Sequence, residues 1–263
     1  MLLTFIITLY NYYLAREVHR NYKLAEITEY SFRLNNKLTT TLETLTGMRD
    51  LAEYYLRFPA EMPRKIPSLR QEGKYFHLNK VRQQLSTSDH VMSGNITGVG
   101  RIEQFNQSFK NELIMANALT PAFVTAQKSI KEANWLYYIS LRRFVNLYPW
   151  VPRTIWQYND KSLINNLVTK VKAAKFKGET LWSRPYVDSA GKGLNTVLGT
   201  GVYLNNEMKG ALLIDINTAG LYSYLQNVSD EDHGYIIVDK HSHVLLHKNN
   251  ANLTLNMGTT YSD

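Results

Sequence analysis

Apolar residues recur at spacings of three and four over residues 14–57, and this pattern predicts one long helix. The apolar stripe consists of Leu34, Leu38, Leu42, Leu45, Met48 and Leu51. The segment contains no proline, and Gly47 is its only glycine. At about 1.5 Å per residue the helix would be roughly 65 Å long, which is more than a compact domain needs. We therefore expect a helix that packs a stripe along the domain.

The pattern changes to that of β-strands at Asn134. Apolar runs predict strands at Trp135–Ser140 and Phe144–Tyr148, and a β-meander over Leu181–Ile216. Turns are predicted at Leu141–Arg143, at Gly191 and Gly193, and at Asn205–Asn206. Together these strands predict a five-stranded antiparallel sheet with helices on one side, which is an α+β fold.

The remaining segments are predicted to connect or cover this sheet. Three prolines make residues 58–74 a loop, and Ser86–Gly100 is rich in turn residues. Glu103–Ala133 is predicted to be helical with a break at Pro121. Further helices are expected at Ser162–Ala174 and Thr218–Gln226, and a strand-turn-strand unit at His233–His247.

Composition and motifs exclude several classes of function. The chain has 263 residues and a net charge of +8, but its basic residues are scattered, so we expect no nucleic-acid partner. It has no cysteine, which excludes disulfide scaffolds, thiolate metal sites and cysteine nucleophiles. Phosphate-binding loops, zinc-protease motifs and serine-hydrolase motifs are also missing from the sequence. We expect no catalytic residue, cofactor or metal.

Several segments together carry a resemblance to a known family. They are NWLYYISLRRFVNLYPW (Asn134–Trp150), PYVD (Pro185–Asp188), the strand around Thr196–Val202 and GALLID (Gly210–Asp215). In order and spacing this pattern resembles the pocket half of a double Cache sensor domain. That domain is the extracytoplasmic, PAS-like module of bacterial chemoreceptors, histidine kinases and diguanylate cyclases. The resemblance covers most of residues 15–250.

The resemblance implies a domain organisation. Residues 15–57 would be a stalk helix that forms a homodimer. Residues 1–14 are uncharged and mostly apolar but too short to span a bilayer, so they are predicted to be the end of a transmembrane helix, with a buried N-terminal helix as the alternative. Residues 58–217 would form the membrane-distal, ligand-binding Cache lobe. Residues 218–263 would be a linker helix and part of a smaller, membrane-proximal Cache lobe. The chain is then a fragment, truncated at both ends, of the periplasmic part of an inner-membrane protein. Its output enzyme, a diguanylate cyclase or a histidine kinase, would lie outside the chain.

The resemblance also implies a small-molecule ligand. In Cache sensors that bind amino acids, a Tyr and an Asp hold the ligand amine, and Tyr186 and Asp215 match those positions. The Arg-x-Trp-Tyr element that holds the ligand carboxylate has no counterpart in Thr169–Trp182. An amine or an organic acid is therefore an alternative to an amino acid. Lys175, Lys177, Arg142 or Arg143 could replace the missing clamp.

Four further residues are candidate ligand contacts: Trp182, Tyr138, Arg143 and Asp188. Tyr138 depends on strand register, because a slip by one residue would place Tyr137 and Ile139 on the pocket face instead. Asp188 precedes Ser-Ala-Gly, where Asp also favours a turn. Asp215 could alternatively cap the helix near Thr218 or lie at a wet strand end.

Three other interpretations remain open from the residues alone. A ligand-free Cache fold could serve dimerisation and spacing, with a pocket filled by Trp182 and Tyr148. Asp188 and Asp215 could be the paired carboxylates of a hydrolase. Finally, His241, His243 and His247 cluster in the last predicted hairpin, where two rings on one strand face suit a metal.

Overall fold

A computed structural model describes residues 2–62, 68–78, 94–159, 163–174, 176–188, 190–223, 236–238 and 244–247. The helices are α1 (Leu2–Arg57), α2 (Gln107–Ala118), α3 (Thr120–Ser129), α4 (Leu163–Lys172) and α5 (Thr218–Ser223), with 3₁₀ turns at Pro59–Glu61 and Ile102–Gln104. The strands are β1 (Leu69–Glu72), β2 (Tyr75–Leu78), β3 (Asn95–Val99), β4 (Ala133–Ser140), β5 (Phe144–Tyr148), β6 (Thr180–Trp182), β7 (Tyr186–Val187), β8 (Leu194–Leu204), β9 (Glu207–Asn217), β10 (Ile236–Val238) and β11 (Val244–His247).

The strands β1 to β9 form one antiparallel sheet in the order β1-β2-β3-β5-β4-β9-β8-β6, and β7 also pairs with β8. The predicted α+β class and the antiparallel sheet are confirmed. The predicted turn at Asn205–Asn206 also forms, and both residues have positive φ, as a two-residue hairpin turn requires. The strands β10 and β11 pair separately as the predicted terminal hairpin.

The sheet is larger than the five strands predicted, because β1, β2 and β3 extend it beyond β5. The strand β3 lies in the segment that was expected to be turn-rich. Its Gly98 lies between Phe76 and Phe144, where an added Cβ would lie only 2.5 Å from Phe144 Cβ and 2.5 Å from Phe76 Cζ. A glycine that signals a turn in the sequence therefore permits close packing in a strand.

One face of the sheet is covered by α1, α2 and α3. From α1, the side chains of Leu45, Met48, Ala52 and Leu56 are buried in this core. Three polar contacts also fix α1: Lys37 Nζ pairs with Glu132 Oε2 at 3.0 Å, Arg49 Nη1 donates to Gly178 O at 3.2 Å, and Glu53 Oε1 accepts from Tyr203 N at 2.9 Å. The second half of α1 is thus part of the domain's core.

The first half of α1 has a different environment. The predicted helix is confirmed and begins earlier, at Leu2, which gives it a length of about 84 Å. Between residues 10 and 33 all side chains except Lys23, Glu26 and Tyr30 are exposed. The large apolar side chains exposed there are Tyr10, Tyr12, Tyr13, Leu14, Val18, Tyr22, Leu24, Ile27 and Phe32. No helix in the described ranges combines the length and the apolar character that crossing a membrane requires.

The other face of the sheet is covered by α4, so helices lie on both faces rather than on one. Leu167, Val168 and Val171 of α4 pack there against sheet residues that include Val197 and Leu213. The strand β4 contributes to both cores by alternation. Its residues Trp135, Tyr137 and Ile139 face α4, whereas Leu136 and Tyr138 face α1. We call the two sides the α4 face and the α1 face.

Candidate functional site

A buried carboxyl group, that of Asp215, lies on the α4 face in the middle of the sheet. It is on β9, where its Cα partners are Trp135 of β4 and Val197 of β8. Its side chain is 3% exposed. The alternative of a wet strand end or a helix cap is wrong, because Asn217 Oδ1 accepts from Ala219 N and so caps α5. Asp215 is therefore an ionisable group that is buried between the apolar residues Trp135 and Val197.

Two tyrosine hydroxyls donate hydrogen bonds to this carboxyl group. Tyr137 donates to Asp215 Oδ1 at 2.8 Å, and Tyr186 donates to Asp215 Oδ2. Tyr186 reaches it because β7 pairs with β8, which lies next to β9. No basic side chain of the described residues forms an ion pair with Asp215. Among the described residues, the Asp215 carboxyl thus has hydrogen-bond donors but no cationic partner.

The ionisation of this group reflects its surroundings. Burial raises the pKa of Asp215 to about 7, although the hydrogen bonds from Tyr186 and Tyr137 oppose the shift, and the nearby Asp188 adds to it. Burial and the neighbouring carboxylate also raise the pKa values of Tyr137 and Tyr186, which stay protonated. Near neutral pH, Asp215 is therefore only partly ionised.

A second buried carboxylate, Asp188, lies beside the first. Its Oδ2 accepts from Trp135 Nε1 at 3.2 Å and from Lys192 N at 3.0 Å. Its backbone also closes the turn after β7, because Asp188 N donates to Gly193 O at 2.8 Å. Asp188 therefore closes a turn and also lies in the candidate site.

The structure separates the other predicted contacts from Asp215. Tyr138 faces α1, where its hydroxyl donates to the buried Glu112 at 2.8 Å. Of the two strand registers considered above, the structure has the one in which Tyr137 and Ile139, not Tyr138, lie on the α4 face. Arg143 lies in the β4–β5 turn, beyond Ser140, while Trp135 pairs with Asp215. Ser140 is five positions after Trp135 on the strand, which is a distance of about 17 Å.

Trp182 occupies an intermediate position on the edge strand β6. It is partly buried, contacts the core on the α1 face and also lines a small cavity between α4 and the sheet. That cavity has a volume of about 10 Å³, comparable to one water molecule. Its other lining residues are Leu167, Lys170, Val171, Leu181, Ser183, Val197, Gly199 and Leu213. Tyr148, which was considered as a pocket-filling residue, is buried on the α1 face instead.

None of the described substitutes for the carboxylate clamp is near Asp215. Arg142 Nε pairs with Glu112 at 3.2 Å on the α1 face, and Lys177 Nζ lies 5.4 Å from the ring centroid of Tyr203. Lys175 lies outside the described residues. One basic side chain, Lys192, does contact Trp135, the strand partner of Asp215. Its Nζ is 3.9 Å from the ring centroid of Trp135.

Within the described ranges, no group of three or more His, Asp or Glu side chains could hold a metal ion. The histidine cluster proposed from the sequence is not part of this result, because His241 and His243 lie outside the described residues. Trp135, Lys192 and Asn195 were missed by sequence reasoning. They are recognised as part of the site only because the fold brings them close to the segments Pro185–Asp188 and Leu212–Asp215.

Comparison with known proteins finds similarity in solved structures alone. No family model and no curated protein matches the sequence. The ligand-binding domain of the Pseudomonas fluorescens chemoreceptor CtaA, in complex with L-serine, is 14% identical with a TM-score of 0.39. The match covers 52% of this chain and 55% of that one, so this chain spans about half the length of the CtaA domain.

Two further similar structures are matched over more of their length. The ligand-binding domain of the Pseudomonas aeruginosa PAO1 amino acid chemoreceptor PctC, in complex with GABA, is 13% identical, with 84% of this chain and 73% of that chain covered and a TM-score of 0.44. The ligand-binding domain of Campylobacter jejuni Tlp3, in complex with L-valine, is also 13% identical, with 88% and 79% covered and a TM-score of 0.40. All three are ligand-binding domains of chemoreceptors.

Proposed function

We propose that this chain is the ligand-sensing part of a transmembrane signalling receptor. It binds a small molecule that carries a positively charged amine, on the α4 face of the sheet. The observation that carries this proposal is the buried Asp215 carboxyl, held by the hydroxyls of Tyr137 and Tyr186. We propose a binding role and not a catalytic one.

The energetics of the buried Asp215 carboxyl favour an amine ligand. Burying a carboxylate without an opposite charge is unfavourable, and here that cost shows as a raised pKa of Asp215. An ammonium group of a ligand would neutralise the carboxylate and gain charge-assisted hydrogen bonds. The Tyr186 ring and the second carboxylate, Asp188, would complete the surroundings of this cation. Ligand binding would thus relieve a cost that folding imposes.

Access to Asp215 requires the covering layer to separate from the sheet. The cavity between α4 and the sheet is too small for an amino acid or a comparable amine, and neither Asp215 nor its two tyrosines line it. We infer that α4 moves outward to admit the ligand and closes over it. Such a movement would change the packing of the sheet, whose other face holds α1.

We propose that residues 1–14 connect the domain to a membrane, that residues 15–57 form the homodimer contact, and that residues 58–217 are the sensing lobe in the periplasm. Residues 218–263 would begin a membrane-proximal lobe. A diguanylate cyclase or a histidine kinase would be the output. The exposed apolar side chains of α1 between residues 10 and 33 support a contact with a partner surface there.

The test is a thermal-unfolding screen of the chain with amino acids, GABA, polyamines, quaternary amines and small carboxylates. A ligand at 100 times its dissociation constant adds about 2.7 kcal/mol to the free energy of unfolding. We expect at least one amine-bearing compound to raise the melting temperature by several degrees.

Two variants locate the binding site in this screen. We expect the shift to be lost in Asp215→Asn and kept in Glu112→Gln, which changes a buried carboxyl on the opposite face. A shift that survives Asp215→Asn would remove the site but keep the sensor function. No shift with any compound, in a chain that unfolds cooperatively, would favour the alternative below.

The alternative function is a ligand-free module for dimerisation and spacing. The small volume of the cavity between α4 and the sheet favours it. In that case Asp215 would be a structural carboxyl bound to the two tyrosines, and it would be mostly protonated below pH 7.

A further inference from the structure

The turn that joins β7 to β8 is held at one carbonyl group by two amide side chains. Lys192 O accepts from Asn134 Nδ2 at 3.2 Å and from Asn217 Nδ2 at 3.1 Å. Asn134 reaches this carbonyl from a β-bulge, since the register of β4 against β9 shifts between Ala133 and Trp135. The position of the turn is therefore set from two neighbouring strands, β4 and β9.

The same turn is also tied to the candidate site. Asp188 Oδ2 accepts from Lys192 N at 3.0 Å and from Trp135 Nε1 at 3.2 Å. A ligand cation between the two buried carboxylates would draw on this oxygen as well. Occupation of the site would therefore change the hold of Asp188 on the turn.

Asn217 connects the turn to the helix α5. Its Oδ1 accepts from Ala219 N at 2.8 Å and from Gly220 N at 3.3 Å, so it caps this helix. Its backbone N–H donates to Glu132 O at 2.8 Å. Gly220 of α5 packs on the side chain of Glu132, because a Cβ added to the glycine would lie 2.8 Å from Glu132 Cγ. Asn217 thus joins the turn, α5 and the connection between α3 and β4.

Glu132 continues this series of contacts to α1. Its Oε2 pairs with Lys37 Nζ at 3.0 Å, and the two side chains are 9% and 18% exposed. Lys37 Nζ also donates to Ser129 O at 3.2 Å, at the end of α3. Separating an ion pair that is largely buried is costly, because each charge is left without a partner. The pair therefore fixes α1 to the connection between α3 and β4.

We propose that Asn217 couples the Asp188 turn to α1, through Glu132 and Lys37. This inference rests on the proposed function, because it takes Asp188 to be part of the ligand site. Asn217 acts as a positioning residue, since both ends of its side-chain amide bond to the turn and to α5. The coupling runs along the ends of β4 and β9, and it adds a second route to the movement of α4.

Hydrogen exchange of backbone amides tests this coupling without a ligand. Asp188→Ala removes the carboxylate that holds Lys192 N. We expect exchange to rise about tenfold in the turn (residues 190–193), in α5 and in residues 34–41 of α1. Residues 45–56 of α1, which lie under the sheet, should keep their exchange rates.

Asn217→Ser should confine this effect to the turn. Serine still caps a helix, but its side chain is one atom shorter and does not reach Lys192 O. Asp188→Ala added to Asn217→Ser should therefore raise exchange in residues 190–193 and leave α5 and α1 unchanged. Asn134→Ala is the matched control, because it removes the other amide from the same carbonyl. In that background Asp188→Ala should still raise exchange in α5 and α1.

Cooperative unfolding of each variant is checked first, and Asp188→Asn replaces Asp188→Ala if the latter does not fold. Unchanged exchange in the turn, in α5 or in residues 34–41 would overturn the inference. It would also be overturned by a rise in α5 and α1 that persists in Asn217→Ser, or by one that Asn134→Ala abolishes. None of these results decides the proposed function, which the thermal-unfolding screen tests separately.

Discussion

At the scale of residues, the ionisation of Asp215 links stability to pH. Its folded pKa of about 7 is higher than its ordinary value of 3.8. Between these values the folded chain holds a proton that the unfolded chain has released. The contribution of Asp215 to the free energy of unfolding is therefore present at low pH and lost as the pH rises toward and past 7.

Replacement of Asp215 by Asn should remove this dependence. In the wild type, raising the pH from 5 to 8 should cost about 3 kcal/mol of unfolding free energy through this one group. Asp215→Asn should show a correspondingly smaller loss, because Asn does not titrate. Urea unfolding at both pH values measures the difference. Equal losses in the two proteins would show that Asp215 ionises normally.

The same proton makes ligand affinity depend on pH. An ammonium requires the ionised form of Asp215, so a bound amine must displace the proton. We expect the affinity for a permanently charged amine to rise about tenfold between pH 6 and pH 8. Calorimetry in buffers of different ionisation enthalpy would also detect the released proton. An affinity independent of pH would place the ammonium elsewhere.

Tyr137 and Tyr138 provide a matched pair of neighbours. Tyr137→Phe removes a donor to the ionised Asp215, and a hydrogen bond to a charged group contributes about 1.5–3 kcal/mol. We expect ligand affinity to fall at least tenfold. Tyr138→Phe removes the bond to Glu112 on the other face, so it should alter stability while leaving affinity unchanged. Titration calorimetry distinguishes these outcomes, and equal effects would contradict the assignment of faces.

These two residues also show where sequence reasoning ends. The PYVD and LLID segments indicated Tyr186, Asp188 and Asp215, which the fold does bring together. The period of two showed that Tyr137 and Tyr138 face opposite sides, but not which side holds Asp215. That depends on pairing with β9, which lies over 70 residues away in the sequence. Lys192 was missed for the same reason, since only the fold places it on Trp135.

At the scale of elements, α1, the central strands and the hairpin turns were predictable because each is long or carries strong turn residues. The strands β1 and β2 have four residues each, and β3 contains Asn, Thr and Gly. Their strand conformation depends on the neighbours with which they pair. Asn95, for example, is buried and donates to Val151 O at 3.0 Å. Local propensity alone does not reveal such tertiary contacts.

The two halves of α1 should respond differently to the same substitution. Leu45 is fully buried under the sheet, so Leu45→Ala should cost about 2–5 kcal/mol of unfolding free energy. Leu24 is 55% exposed, and Leu24→Ala should cost less than about 0.5 kcal/mol in the monomer. Chemical unfolding at low protein concentration measures both. A large cost at Leu24 would show that the first half of α1 packs within its own chain.

At the scale of the whole molecule, the proposed homodimer can be tested with two equally exposed phenylalanines. Phe32 of α1 and Phe176, which follows α4, are both 65% exposed. We expect Phe32→Glu to shift the chain toward monomer, because it places a charge in the proposed interface, and Phe176→Glu to leave association unchanged. Sedimentation velocity over a roughly hundredfold range of concentration measures this. A wild-type chain that stays monomeric throughout would contradict the proposed contact.

The continuity of α1 has a mechanical consequence. The helix is fixed to the domain through Lys37, Arg49 and Glu53, and no proline interrupts it. The exposed part from residue 10 to residue 33 adds an arm of about 36 Å. If the fixed part of α1 tilted by only about 3°, the end of the exposed part at residue 10 would move by roughly 2 Å. A rearrangement within the domain too small to alter its fold would thus be amplified at a distance.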